Sequence, residues 1–137
     1  MQKMMLFLVL CLAAGFRVSA QKMPPGAVLA AFSEQFRNIK DLDWKLEKSG
    51  DWEADFEQEE VDMSASFSAD GKWLETETEM KVTELPAPVQ AALKGKKVKE
   101  AAKILRADGS TVYEAEVRRK DWIFDANGKL LSEGRKD

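Results

Sequence analysis

Glu53, Asp55, Glu75 and Glu77 fall at alternate positions of two short segments, the spacing that sets carboxylates side by side on one face of neighbouring β-strands. Carboxylate pairs cleave glycosidic bonds when they face each other about 5 to 10 Å apart in a cleft with one pKa raised. They hold calcium when about six to eight oxygens converge at roughly 2.3 to 2.6 Å. Neither condition is expected here. Same-face residues along a strand lie about 7 Å apart, and Glu53 and Glu75 are separated by a whole intervening strand, about 9 to 10 Å. A flat, hydrated sheet face raises neither carboxyl, so the expectation is a solvated acidic surface with no metal and no enzymatic activity. Asp125-Ala-Asn127-Gly128 opens like an EF-hand loop, yet the later ligands are missing and a hairpin turn accounts for its glycine.

Composition removes most other site chemistries. The chain has no histidine and a single cysteine, Cys11. This excludes Ser-His-Asp and Cys-His nucleophiles, zinc sites built on His or Cys, and C-x-x-C-H haem attachment. Lysine, tyrosine and carboxylate chemistry remain, and no cofactor is expected.

Lys3 precedes an apolar run from Met4 to Phe16, and Val18-Ser19-Ala20 offers a small-x-small cleavage site, the pattern of a signal peptide cut after Ala20. The run is shorter than the roughly 20 apolar residues a spanning helix needs. The expected protein is therefore periplasmic or secreted and not membrane-spanning. Leu10 stands before Cys11, where a lipid-attachment site wants a small residue, so the cysteine is read as part of the discarded leader. The mature chain then has no disulfide and depends on its core.

Taking Lys3 and Arg17 from the 21 basic residues leaves 19 against 24 acidic ones, a net charge of −5. The excess is uneven: residues 21–83 hold 7 basic and 15 acidic side chains, and residues 84–137 hold 12 and 9. Such polarity can mark a binding surface or an attraction between two parts. Lys94, Lys96, Lys97, Lys99 and Lys103 form a basic cluster. No aromatic platform for stacking bases interleaves it, and in an exported chain no nucleic-acid partner is expected.

The elements that position these side chains come in two copies. Phe67-Ser-Ala-Asp70-Gly71-Lys72-Trp73-Leu74 returns as Phe124-Asp-Ala-Asn127-Gly128-Lys129-Leu130-Leu131, and Trp52-Glu-Ala-Asp-Phe56 returns as Tyr113-Glu-Ala-Glu-Val117. Residues 21–83 are read as a first repeat and 84–137 as a second, packed as one body because units well below about 100 residues bury too little surface alone. Each opens on a helix. Pro24-Pro25 leads into a stripe of Val28, Ala31, Phe32, Gln35, Phe36 and Ile39; Pro86 and Pro88 lead into Val89, Ala92 and Leu93, cut short by Gly95. Four strands follow. The first lies over Leu42–Glu47 or Ala101–Arg106, and the alternation of Trp52–Phe56 and of Tyr113–Val117 marks the second as half-buried.

Asp70-Gly71 and Asn127-Gly128 suit two-residue type I′ hairpins, which pairs Phe67 with Leu74, Ser68 with Trp73, Ser66 with Glu75 and Ser64 with Glu77. A link at Glu59-Glu60 sets Trp52 opposite Phe67, Ala54 opposite Ala65 and Phe56 opposite Met63. A link at Arg119-Lys120 sets Val117 by Trp122 and Ala115 by Phe124. The fold class is α+β: a tandem repeat of helix plus four-stranded antiparallel meander, with both helices on one face of the sheet. The other face then carries Glu53, Asp55, Ser64, Ser66, Ser68, Trp73, Glu75 and Glu77 in the first repeat. In the second it carries Glu114, Glu116, Arg118, Ile123, Asp125, Leu130 and Ser132.

Trp44, Gly50, Trp52, Glu53, Ala54, Phe56, Phe67, Asp70, Gly71 and Lys72, with Tyr113, Glu114, Ala115, Phe124, Asn127, Gly128 and Lys129, form a pattern that resembles the beta-lactamase-inhibitor-like, PepSY-like family of secreted bacterial proteins common in Bacteroidetes. The likeness runs through nearly the whole mature chain. It implies helices on one side of a curved sheet whose other side is free, and a role in binding or inhibiting other proteins. The second repeat departs from the pattern by lacking the tryptophan of the first strand.

The function expected is a non-catalytic binding module that holds or inhibits a protein or peptide through the helix-free face. Its contact residues are Trp73, Glu53, Asp55, Glu75, Glu77, Leu130 and Ile123, with Trp73 as the anchor because tryptophan is enriched in interface hot spots. The alternative is a small-ligand sensor, with a pocket over Ala54, Ala65 and Ala115, or a structural envelope-stress protein.

Overall fold

Val28, Phe32 and Phe36 recur every fourth residue, so they share one side of a helix, and all three are buried. The structure, a computed structural model, describes residues 22–135. The signal peptide, its cut after Ala20 and Cys11 lie outside the described residues. Helix α1 (Gly26–Gln35) is followed by β1 (Ile39–Leu46), β2 (Trp52–Gln58), β3 (Val61–Phe67) and β4 (Trp73–Met80). A 3-10 turn (Val82–Glu84) and α2 (Ala87–Ala92) lead to β5 (Val98–Arg106), β6 (Thr111–Val117), β7 (Lys120–Phe124) and β8 (Leu130–Arg135). The eight strands form one antiparallel sheet in sequence order, an α+β architecture.

Two cores lie between helices and sheet. Around α1, Phe32 meets Phe36, Trp44 and Phe56 at ring centroid separations of 5.2 Å, over Ala54, Ala65 and Phe67. Around α2, Leu85, Val89 and Leu93 pack on Ala101, Ala115, Val117 and Phe124. The rings occupy the room that Ala54 and Ala65 leave, which takes away the motive for a ligand pocket beneath α1. Ala92, expected on the apolar stripe of α2, is exposed. The halves are joined along a seam in which β4 pairs β5 from Glu75↔Arg106 to Met80↔Ala101, extended by the Ala107 N–H donating to the Leu74 carbonyl at 2.8 Å.

The β2·β3 register is as the alternation predicts: Trp52↔Phe67, Ala54↔Ala65 and Phe56↔Met63. Glu59 and Glu60 have φ of 52° and 64°, and positive values at both centres are those of a type I′ turn. The matching hairpin of the C-terminal half turns at Arg118-Arg119, φ 54° and 61°, one residue earlier than expected. Ala115 therefore faces Trp122 and Tyr113 faces Phe124. This slip of two leaves every side chain on its expected face, because the side-chain period is two.

The Asp-Gly and Asn-Gly hairpins differ from expectation in a way that does change faces. Gly71 N–H donates to the Ser68 carbonyl and Ser68 N–H to the Lys72 carbonyl, and of the central residues only Gly71, φ 87°, is left-handed. This is a type I turn closed by a glycine bulge rather than a type I′ turn. Asp125 fixes the same turn by accepting from the N–H groups of Asn127 at 2.9 Å and Lys129 at 3.0 Å. Phe67 consequently pairs with Trp73 and Phe124 with Leu130, with register breaks at Ser66/Phe67 and Ile123/Phe124. Further breaks at Lys40/Asp43 and Val98/Ala101 carry β1 and β5 back to Ile39 and Val98, three residues before their expected starts.

Candidate functional site

The helix-free face is built row by row from the pairings. Lys45, Glu53, Ser66, Glu75 and Arg106 lie opposite one another across β1 to β5. In the next row Asp55, Ser64, Glu77, Ile104 and Val112 run across β2 to β6. Glu79, Ala102, Glu114, Ile123 and Ser132 continue the surface across β4 to β8. The sequence predicts Glu53, Asp55, Ser64, Ser66, Glu75, Glu77, Glu114, Ile123 and Ser132 for this face, and all are there. Glu116 shares it and is buried, with the Lys99 ammonium 3.8 Å away.

The sheet is not flat. A concavity of about 520 Å³ is lined by residues from β1 to β7, from Asp41 to Asp121. Four register breaks, each adding local twist, lie in alternate strand pairs. Curvature also explains a feature that the sequence did not indicate: Ala102, Ile104 and Val112 point away from the helices yet are only 4 to 5% exposed. Of the three, Ala102 lines the concavity among its acidic walls. Ten of the sixteen residues lining the concavity are Asp or Glu and one, Lys45, is basic; Lys45 is engaged in an ion pair with Asp55. The face therefore carries a strong excess of negative charge.

That excess shifts protonation. Burial, then the carboxylates of Glu114, Glu53, Glu75 and Asp121, push Glu77 up to about 8. Burial, then Asp55 and Glu47, push Glu53 up to about 7 against the pull of Lys45. The expectation that a hydrated face raises neither carboxyl is thus corrected, and the cause is the closed curve of the sheet. Both groups move in the same direction, whereas an acid–nucleophile pair needs two carboxyls driven apart. Among the described residues no group of three or more carboxylates is close enough to hold a metal ion.

Two expected contact residues are elsewhere. Trp73 stands opposite the buried Phe67 and packs on the N-terminal core, with its indole N–H donating to Thr76 Oγ1 at 2.9 Å. Leu130 stands opposite buried Phe124, on the helix side, and is exposed on the edge strand of the described sheet. The one-residue shift made by the bulged turns moved both off the free face. Ser68 and Asp125 are likewise spent inside the turns, and Arg118 lies at a hairpin tip.

Comparison with known proteins places this geometry in a group. A model of the family described as "Putative beta-lactamase-inhibitor-like, PepSY-like" matches residues 50–132. Among solved structures, a BLIP-like protein from Bacteroides fragilis superposes with a TM-score of 0.69 at 24% identity, covering 86% of this chain and 92% of that one. A protein from Bacteroides eggerthii described as putative periplasmic gives 0.72 at 18% identity, over 82% of this chain and 88% of its own. A DUF2874 family protein from Bacteroides ovatus also gives 0.72 at 18%, over 82% and 87%. These likenesses concern the fold. No curated protein matches the chain at a significant level. The motif residues that carry the family resemblance, among them Trp52, Ala54, Phe56, Phe67, Ala115 and Phe124, are buried in the two cores, so they specify scaffold. Glu53 and Glu114, one from each half, instead face the concavity with Glu77 between them.

Proposed function

The chain belongs to the beta-lactamase-inhibitor-like, PepSY-like family, and from that premise we propose that it is a non-catalytic periplasmic binding module whose concave face holds a protein or peptide by its basic side chains. We read it as two repeats, 21–83 and 84–137, exported by the leader of residues 1–20 and presenting one continuous surface. The observation that carries the reading is the excess of carboxylates lining a curved face. A lysine or arginine entering it meets Glu53, Glu77 and Glu114, and its methylene stem covers Ala102 and Ile123.

Binding is then linked to protons. Glu77 and Glu53 hold protons near neutral pH because burial, and then the neighbouring carboxylates, disfavour their charged forms, and an arriving cation favours those forms. Association at pH 7 should release protons, and isothermal titration in buffers of different ionisation enthalpy measures how many.

The direct test is capture from a periplasmic extract by the wild type and by a Glu53→Gln, Glu77→Gln, Glu114→Gln variant, followed by titration of the captured partner. Neutralising three carboxylates should weaken binding at least about tenfold and flatten its salt dependence. Equal affinity of the two proteins for every partner recovered would remove the concave face from the function.

A further inference from the structure

The end of the sheet where β2 turns into β3 and β6 into β7 borders the concave face, and its two turns are oppositely charged. The equivalent turns are Glu59-Glu60 and Arg118-Arg119. All four residues hold left-handed backbone, φ 52° to 64°, at an order of 1 kcal/mol each for a residue with a Cβ. Val98 pairs with Val117, which brings Lys97 and Lys99 beside the arginine turn. Asp62 flanks the glutamate turn, and Arg37 and Lys40 are the cations on that side. Between the turns runs a groove of about 600 Å³ in which Val61, Met80, Val82 and Ala101 lie among seven charged side chains, five of them acidic and two, Lys81 and Lys99, basic.

We propose that this end is a two-fold interface between two copies of the chain. A two-fold axis lying across the middle of the groove exchanges the halves. It sets Glu59 and Glu60 of each copy against Arg118 and Arg119 of the other, and the paired grooves close over Val61 and Val82. An isologous contact needs a surface that complements itself, and two oppositely charged turns at one end of the sheet meet that need. An anionic bilayer is the other surface a basic tip could meet, but the glutamate turn projects from the same end and would be pressed against it.

Sedimentation velocity over a concentration series tests this. The wild type should show a monomer–dimer equilibrium that shifts to monomer as salt shortens the screening length from about 8 Å at 0.15 M to about 3 Å at 1 M. Glu59→Lys with Glu60→Lys, and separately Arg118→Glu with Arg119→Glu, should each raise the dissociation constant at least about tenfold. Mixing the two variants should restore association as a heterodimer, and so should combining all four changes in one chain. A protein monomeric up to about 1 mM, a dimer indifferent to both reversals, or reversals that mixing fails to rescue would each overturn the proposal. So would a monomer that binds phosphatidylglycerol vesicles through its arginine turn.

Discussion

Replacing Glu77 with glutamine will raise the melting temperature at pH 8.5 and leave it nearly unchanged at pH 4. Below its unfolded value of 4.5 the carboxyl is neutral in both states. As pH rises, the unfolded chain ionises first, while the folded protein keeps its proton until about 8. The unfolded state then binds fewer protons, so stability falls across this window and stays low above it. A shift of one pH unit corresponds to about 1.4 kcal/mol. The full penalty would approach about 5 kcal/mol, and because the side chain keeps some contact with water, about 2 kcal/mol is the expected gain. Glutamine keeps the shape and removes the charge. Thermal melts of both proteins from pH 4 to 9 decide it: parallel curves would mean that Glu77 is solvated and that the concave face is more open than described.

The second large effect lies at the turns nearest the helices. A Cβ at Gly128 would meet the Pro88 carbonyl oxygen at 2.4 Å, and one at Gly71 would meet that of Ala27 at 2.6 Å. These are backbone atoms in the first turns of α2 and α1, so the helix must move off the sheet. Gly50 and Gly109 have equally left-handed backbone, φ 91° and 85°, with nothing within 4 Å of a Cβ. Alanine at all four positions therefore separates strain from contact. At 50 and 109 the expected cost is about 1 to 2 kcal/mol. At 71 and 128 it is about 3 kcal/mol or more, because a packed helix is displaced as well. Equal denaturant midpoints for the four variants would show that the helices do not rest on these turns.

Much of the fold is legible in the sequence because alternation and helical spacing act locally. Trp52, Ala54 and Phe56 fix the second strand's buried face, and a two-residue link at Glu59-Glu60 fixes its partner. The Asp-Gly and Asn-Gly dipeptides mislead, since they also fit the end of a type I turn. The deciding residues are Ser68 and Asp125, three positions before each glycine, a placement that favours type I with glycine last. That single register step decides whether Trp73 is a surface anchor or part of the core. The concavity was not legible for another reason: it arises from small added twists at four separate register breaks. No local pattern encodes their sum, and the pKa shifts of Glu53 and Glu77 follow from it.

Every strand lies between its neighbours in sequence, and this bears on how the chain reaches its fold. Pairing can advance from one hairpin to the next without closing a long loop, which keeps the entropic barrier low. The longest gap is residues 81–97, which cross from β4 to β5. Since each half has its own core, a chain delivered N-terminus first can complete α1 to β4 and then lay the second half onto the waiting edge of β4. The last strand to add leaves β8 as the growing edge, so assembly has a direction built into it.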